Sequence, residues 1–133
     1  MKFLLDTDTC IYALKQHPLV LQRMLAESRA DVAISAITEA ELRTGAAKSS
    51  SPRKTMALVE AFFRPLITID FTSSDASAYS LVRAELEHAV TPIGSLDTLI
   101  AGQAVGRKLV LVSNNEREFG RVKGLMLANW TKA

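Results

Sequence analysis

The sequence predicts an α/β protein with a central, mostly parallel sheet flanked by helices. Three observations carry that prediction. Short apolar runs suited to buried strands recur at Lys2–Leu5, Val32–Ser35, Ile67–Asp70 and Leu109–Val112. The segments between them place apolar residues three and four apart, the spacing of one helix face. Strand and helix signals therefore alternate along the chain, as expected when parallel strands are joined by crossover helices. No internal repeat or linker interrupts the 133 residues, so residues 1–133 read as a single domain.

Lys2–Leu5 is stopped abruptly by Asp6, as a buried strand would be at its end. Pro18 opens a helix to about Ser28, with Val20, Leu21, Met24 and Leu25 along one side. Val32–Ser35 is the second strand, and Thr38–Ala47 the helix after it. Ser49-Ser50-Ser51-Pro52 is a loop. Met56, Val59, Phe63 and Leu66 mark a further helix that Pro65 ends. After the strand at Ile67–Asp70, Thr72 and Asp75 have the spacing of a capping box. They precede a long helix that stacks Tyr79, Val82 and Leu86. Thr91-Pro92-Ile93-Gly94 turns the chain, and Ser95 is placed to cap a helix to Arg107. Leu109–Val112 is the clearest buried strand, and Met126–Ala128 reads as a short last one.

Composition excludes several classes. At 48% apolar and 23% charged the chain can bury a core, so it is not a disordered tail. Its apolar runs are only a few residues long, far short of a membrane span, and Asp6 breaks the first run before a signal-peptide core could form. Cys10 is the single cysteine, which excludes an intramolecular disulfide and a cysteine-rich zinc site. A cytoplasmic protein is expected. The net charge of +2 is uninformative by itself, but setting five acids aside in one pocket leaves nine acids against 16 bases. Such a surface suits a polyanionic partner.

Ligands of open parallel sheets bind beyond the carboxyl ends of the strands, where strand order switches. Acids fall at that end four times. Asp6 and Asp8 follow the first strand, and Glu41 starts the helix after the second. Asp97 sits in the first turn of the Ser95–Arg107 helix, and Glu116 and Glu118 follow the Leu109–Val112 strand. Each has a local explanation. Asp6 and Asp8 can end a strand and cap a helix, Thr38 to Glu41 has capping-box spacing, and acids are common in polar loops. Asp97 is harder to explain locally, because Thr98 to Gly106 carry no charge. An acid leading a buried helix needs a cation or several hydrogen bonds. Carboxylates converging without Cys or a well-placed His specify a hard cation, Mg²⁺ or Mn²⁺. His17 and His88 have no ligand partner at local spacing and read as surface residues. Carboxylate-held Mg²⁺ without a nucleotide-binding loop points to phosphodiester hydrolysis.

These residues resemble the PIN-domain ribonucleases, most closely the VapC-type toxins of bacterial toxin–antitoxin pairs. The resemblance runs through Leu4-Leu5-Asp6-Thr7, Ser35-Ala36-Ile37-Thr38 with Glu41-Leu42 and Gly45, and Pro92-Ile93-Gly94. It continues through Asp97 with Ile100-Ala101, and Ser113-Asn114-Asn115 with Glu118-Phe119. It implies a PIN-like three-layer sandwich and a metal site at Asp6, Glu41, Asp97 and Glu118. Thr7 and Ser113 would be supporting hydroxyls, with Asp8 and Asn115 beside them. Asp8 stands where the family usually has Asn, and Asn115 where many members have an acid. The resemblance further implies a Mg²⁺-dependent endoribonuclease, a homodimer and a VapB-type antitoxin that occludes the site. The implied substrate is tRNA, with initiator tRNA the first choice.

Two other readings fit parts of the pattern. Asp6-Thr7-Asp8-Thr9 after a strand also opens haloacid-dehalogenase-type phosphatases, with Asp6 as nucleophile and Asp8 as acid/base. Only 20 residues follow Ser113, and they include no Asp for the further acidic strand end that fold needs. A non-catalytic RNA-binding protein of the PIN fold would have little reason to hold so many converging acids. Among the bases, Arg43, Lys48, Arg117 and Arg121 are candidates to hold RNA phosphates, together with Arg53, Lys54 and Lys123. Eight aromatics without a stacking motif give no sign of base-specific reading. Trp130 reads as a tail anchor.

Overall fold

The computed structural model describes residues 1–133. Its five strands are β1 (Phe3–Leu5), β2 (Val32–Ser35), β3 (Ile67–Ile69), β4 (Val110–Val112) and β5 (Met126–Ala128). They form one sheet in the order β3-β2-β1-β4-β5, and every pairing is parallel. The expected mostly parallel sheet is thus wholly parallel. Strand order switches between β1 and β4. Leu5 is in register with Ile34 on one side and Val112 on the other, so Asp6 and Ser113 emerge level at the carboxyl edge.

Side-chain alternation along β1 divides the interior into two cores. Phe3 and Leu5 face one side, where α1 (Thr7–Leu14), α2 (Pro18–Ala26), α3 (Ala36–Ala47) and α4 (Pro52–Phe63) contribute Cys10, Ala13, Val20, Leu42, Val59 and Phe63. Leu4 faces the other, where α5 (Ser73–His88) and α6 (Ser95–Arg107) contribute Val82, Leu86, Ile100 and Ala104. Leu4, Leu5, Ile34 and Leu111 are wholly buried, and each side chain contributes about 1.5–3 kcal/mol by leaving water. Helices cover both faces of the sheet, giving three layers. None is long and apolar enough to cross a membrane.

The long helices pack closely for a local reason. A Cβ on Gly102 of α6 would stand 2.5 Å from the Tyr79 Cα of α5, so only glycine permits this approach. Asp75 then clamps the pair. It completes the expected capping box with Thr72 and takes two bonds from Arg107, both at 2.9 Å. The guanidinium holds the Asp75 carboxyl down to about pKa 2.

Element bounds differ from expectation chiefly at the helix caps. The sequence marks no element between Asp6 and Pro18, yet Thr7–Leu14 is helical; its two threonines and lone Cys10 hide the apolar stripe. α3 begins at Ala36 rather than Thr38, because the Ser35 side chain accepts from Ile37 N at 3.1 Å. α4 begins at Pro52, which takes the first helical position, and ends at Phe63, short of Leu66. Gly94, rather than Ser95, caps α6. α2 stops at Ala26, and a 3₁₀ turn at Arg29–Asp31 leads into β2. Glu116–Phe119, read as part of a polar loop, forms a short helix, α7.

Candidate active site

Asp6 is 97% buried, by its 3% exposure, at the end of β1. It occupies the N-cap position of α1 yet makes no cap hydrogen bond, so capping does not explain it. Ser113, at the end of β4, donates from Oγ to Asp6 Oδ2 at 2.9 Å. The other oxygen, Oδ1, is buried without any partner. A buried carboxylate oxygen left unpaired is costly unless a cation or proton satisfies it.

Asp8 lies on the first turn of α1. Its Oδ2 accepts from the Asn114 backbone N–H at 3.1 Å, and both its oxygens lie 3.3 Å from Ser113 Oγ. Ser113 has one hydroxyl proton and two carboxylates to serve. The two carboxylates therefore stand within about 6 Å, the sum of their contacts to Oγ. At that distance two charges repel by about 3 kcal/mol at an effective dielectric of about 20.

Glu41 lies in the second turn of α3, beyond its Ser35 cap, and is held by Thr7, whose Oγ1 donates to Glu41 Oε1 at 2.7 Å. Thr38, buried and also within 3.2 Å of Thr7 Oγ1, fixes that hydroxyl. Asp97 is half-buried in the first turn of α6 and makes no cap bond. Glu118 projects from α7, its Oε2 held by Asn115 Nδ2 at 2.6 Å. Glu116, from the same turn, faces away and pairs with Lys132 at 2.7 Å. Of the two candidate acids in that segment, Glu118 is the one beside Asp97.

The acids feel one another. Burial pushes the Asp6 carboxyl up to about 8, and the charge of Asp8 adds to the rise. Burial also lifts Asp97 to about 6, helped by Glu118, Glu41 and Asp8 in that order. No three His, Cys, Asp or Glu side chains close around one point as a finished ligand cage. That spacing still fits Mg²⁺ or Mn²⁺ chemistry, because Mg²⁺ keeps several waters and takes only one or two carboxylates directly. The all-oxygen donor set and the unpaired Asp6 Oδ1 fit a hard divalent cation.

The bases behave differently from one another. Arg43 pairs with Glu39 at 2.7 Å and Glu60 at 3.6 Å while its side chain stays partly exposed. Arg121 donates to the Pro92 carbonyl at 3.0 Å and so holds the turn before α6. Lys48 and Arg117 are exposed, as are Arg53 and Lys54. His17 caps α2, its Nδ1 accepting from Val20 N, rather than lying idle on the surface. Two site neighbours were missed. Thr38 has the spacing of a helix cap, and Asn114 stands in the sequence only within Ser113-Asn114-Asn115.

Comparison with known proteins follows the same lines. The PIN domain model matches residues 3–125. A tRNA(fMet)-specific endonuclease VapC of Salmonella typhimurium is 40% identical over 98% of both chains. Ribonuclease VapC2 of Haemophilus influenzae is 38% identical, again over 98% of both. Among solved structures, DNA-bound VapBC from Salmonella typhimurium superposes with a TM-score of 0.94 at 40% identity, covering 98% of both chains. VapBC2 from Rickettsia felis, bound to a promoter DNA fragment, gives 0.90 at 34% identity, covering 98% of this chain and 99% of that one. Metal dependence is general among PIN-domain ribonucleases. With the fold, the acid cluster and these relatives in agreement, the chain belongs to the PIN-domain family, among the VapC ribonucleases.

Proposed function

We propose that residues 1–133 act as one nuclease domain, the endoribonuclease toxin of a VapBC-type toxin–antitoxin pair. The observation that carries this reading is the unpaired, buried Oδ1 of Asp6 at the switch between β1 and β4, where burial and neighbouring acids raise the carboxyls of Asp6 and Asp97. Asp6 and Asp97 would be the primary ligands of Mg²⁺ or Mn²⁺, with Glu41 and Glu118 completing the site. Bound there, the ion supplies a Lewis acid that makes water nucleophilic near neutral pH and shields charge on phosphate oxygens. The chain's own part is positioning. Thr7 fixes Glu41, Asn115 fixes Glu118, and Ser113 spaces Asp6 from Asp8. The relative from Salmonella typhimurium is named for tRNA(fMet), which supports initiator tRNA as the substrate here. The solved relatives are VapBC complexes, which supports a VapB-type antitoxin as partner. A homodimer working in the cytoplasm goes with the same reading.

The test is to incubate the purified protein with total RNA and Mg²⁺ and to sequence the fragment ends. We expect cuts concentrated in the anticodon loop of initiator tRNA. Cuts spread evenly over all tRNAs would leave the nuclease and remove the substrate assignment.

A further inference from the structure

We propose that the C-terminal tail, Asn129 to Lys132, is a strap that positions the metal-site loop Ser113–Glu118, with Asn129 as its principal positioning residue. The proposal rests on the metal-site reading above and adds residues that the site itself does not contain.

The tail is anchored from below. Trp130 is wholly buried, packing edge-on against Phe3 of β1 at 5.1 Å, with the Arg23 guanidinium 5.3 Å from its ring. Its neighbours on either side turn toward the site loop. Asn129 Nδ2 donates to Asn114 Oδ1 at 3.0 Å. Asn129 Oδ1 accepts from the Thr131 N–H at 2.9 Å and the Thr131 hydroxyl at 2.6 Å, which fixes the amide's orientation. Thr131 Oγ1 also lies 3.1 Å from Asn114 Oδ1, and Lys132 reaches Glu116 on α7 at 2.7 Å.

Asn114 is where the strap meets the acids. Its side-chain Nδ2 donates to the Tyr12 hydroxyl on α1, and its backbone N–H donates to Asp8. The residue before it, Ser113, holds Asp6; the residue after it, Asn115, holds Glu118 and donates its own N–H to Ser113 Oγ at 2.9 Å. An exposed asparagine is thus tied on three sides, at the one point between two site-holding residues. Hydrogen-bond partners of metal ligands orient those ligands and hold their spacing, and Asn129 fixes the loop that carries two such partners, Ser113 and Asn115. Nothing in the fold needs Asn129 for the core, because Trp130 already seals it.

The test compares wild type, Asn129→Ala, Asn114→Ala and the double variant, by Mn²⁺ titration calorimetry and by melting in chelator. Asn129→Ala should weaken Mn²⁺ binding on the order of tenfold. Its melting temperature in chelator should stay within about 2 °C of wild type, since the residue is only half-buried. The double variant should bind no worse than Asn114→Ala alone, because Asn129 acts through Asn114. Unchanged Mn²⁺ affinity in Asn129→Ala overturns the strap, whether or not its melting point falls, and so do additive losses in the double variant. If wild type itself binds no Mn²⁺, the metal-site reading fails first and takes the strap with it.

Discussion

Asp97 shows how a single residue separates two accounts of the same acid. If it served only to stabilise the start of α6, Asn would replace it at little cost. In this structure it makes no cap bond, and burial, helped by the charges of Glu118, Glu41 and Asp8, pushes its pKa up to about 6. Asp97→Asn removes one charge from that repulsion. We expect it to melt higher than wild type in chelator and to show a smaller rise on adding Mn²⁺, read by differential scanning fluorimetry. An unchanged melting point with an undiminished Mn²⁺ shift would take Asp97 out of the cluster. The pH dependence follows with a definite sign. Asp6 has a folded pKa of about 8 against an ordinary 3.8. The folded state therefore holds the proton more tightly, and the stability this confers is full below about pH 4 and lost as pH rises through about 8. Metal-free protein should melt higher at pH 5 than at pH 8, while Mn²⁺ affinity rises over the same interval because binding displaces protons. A flat melting profile in chelator would mean that Asp6 is not held protonated. The site was legible in the sequence to the extent that acids end strands or lead an uncharged helix. What it hid was which hydroxyl or amide holds each acid, because Thr7 to Glu41 and Ser113 to Asp6 are contacts between residues 34 and 107 apart.

Three residues other than glycine take positive φ, Gln16, Val90 and Lys108, and Val90 is the β-branched one. α5 ends at His88, and Val90 takes a left-handed conformation at φ 58°, while Thr91 N closes back on Leu86 O at 2.9 Å. A β-branched residue is poorly suited to that conformation, and Val90 is 83% exposed, so its side chain gains little in return. Val90→Gly should raise stability by about 1 kcal/mol, or roughly 3–5 °C in Tm, measured by calorimetric melting. An equal or lower Tm would show that the turn stores no strain. Most elements were readable in advance because apolar period and punctuation agree. Pro18 opens α2 and Thr72–Asp75 caps α5 as expected. The failures were at caps. Thr38-Glu39-Ala40-Glu41 imitates a capping box, but the true cap is Ser35, immediately at the strand end, and only the close β2-to-α3 connection decides between them.

At the scale of the whole molecule, acids concentrate at the β1–β4 switch while bases such as Lys48, Arg53, Lys54 and Arg117 stay exposed. If those bases track a phosphate backbone, RNA affinity should fall with salt at a log–log slope of a few units. Filter binding that stays flat between low and moderate salt would argue for a small-molecule substrate and revive the phosphatase reading of Asp6 and Asp8. On the proposed function, the acid cluster cleaves RNA only when a divalent cation completes it. The most direct measurement follows cleavage of end-labelled RNA by purified wild type, Asp6→Ala and Asp97→Ala, each with Mg²⁺, with Mn²⁺ and with chelator. We expect fragments from wild type with either metal, none in chelator, and none from either variant, with circular dichroism showing both variants folded. Fragments that persist in chelator, or near-normal cleavage by Asp6→Ala, would contradict the account.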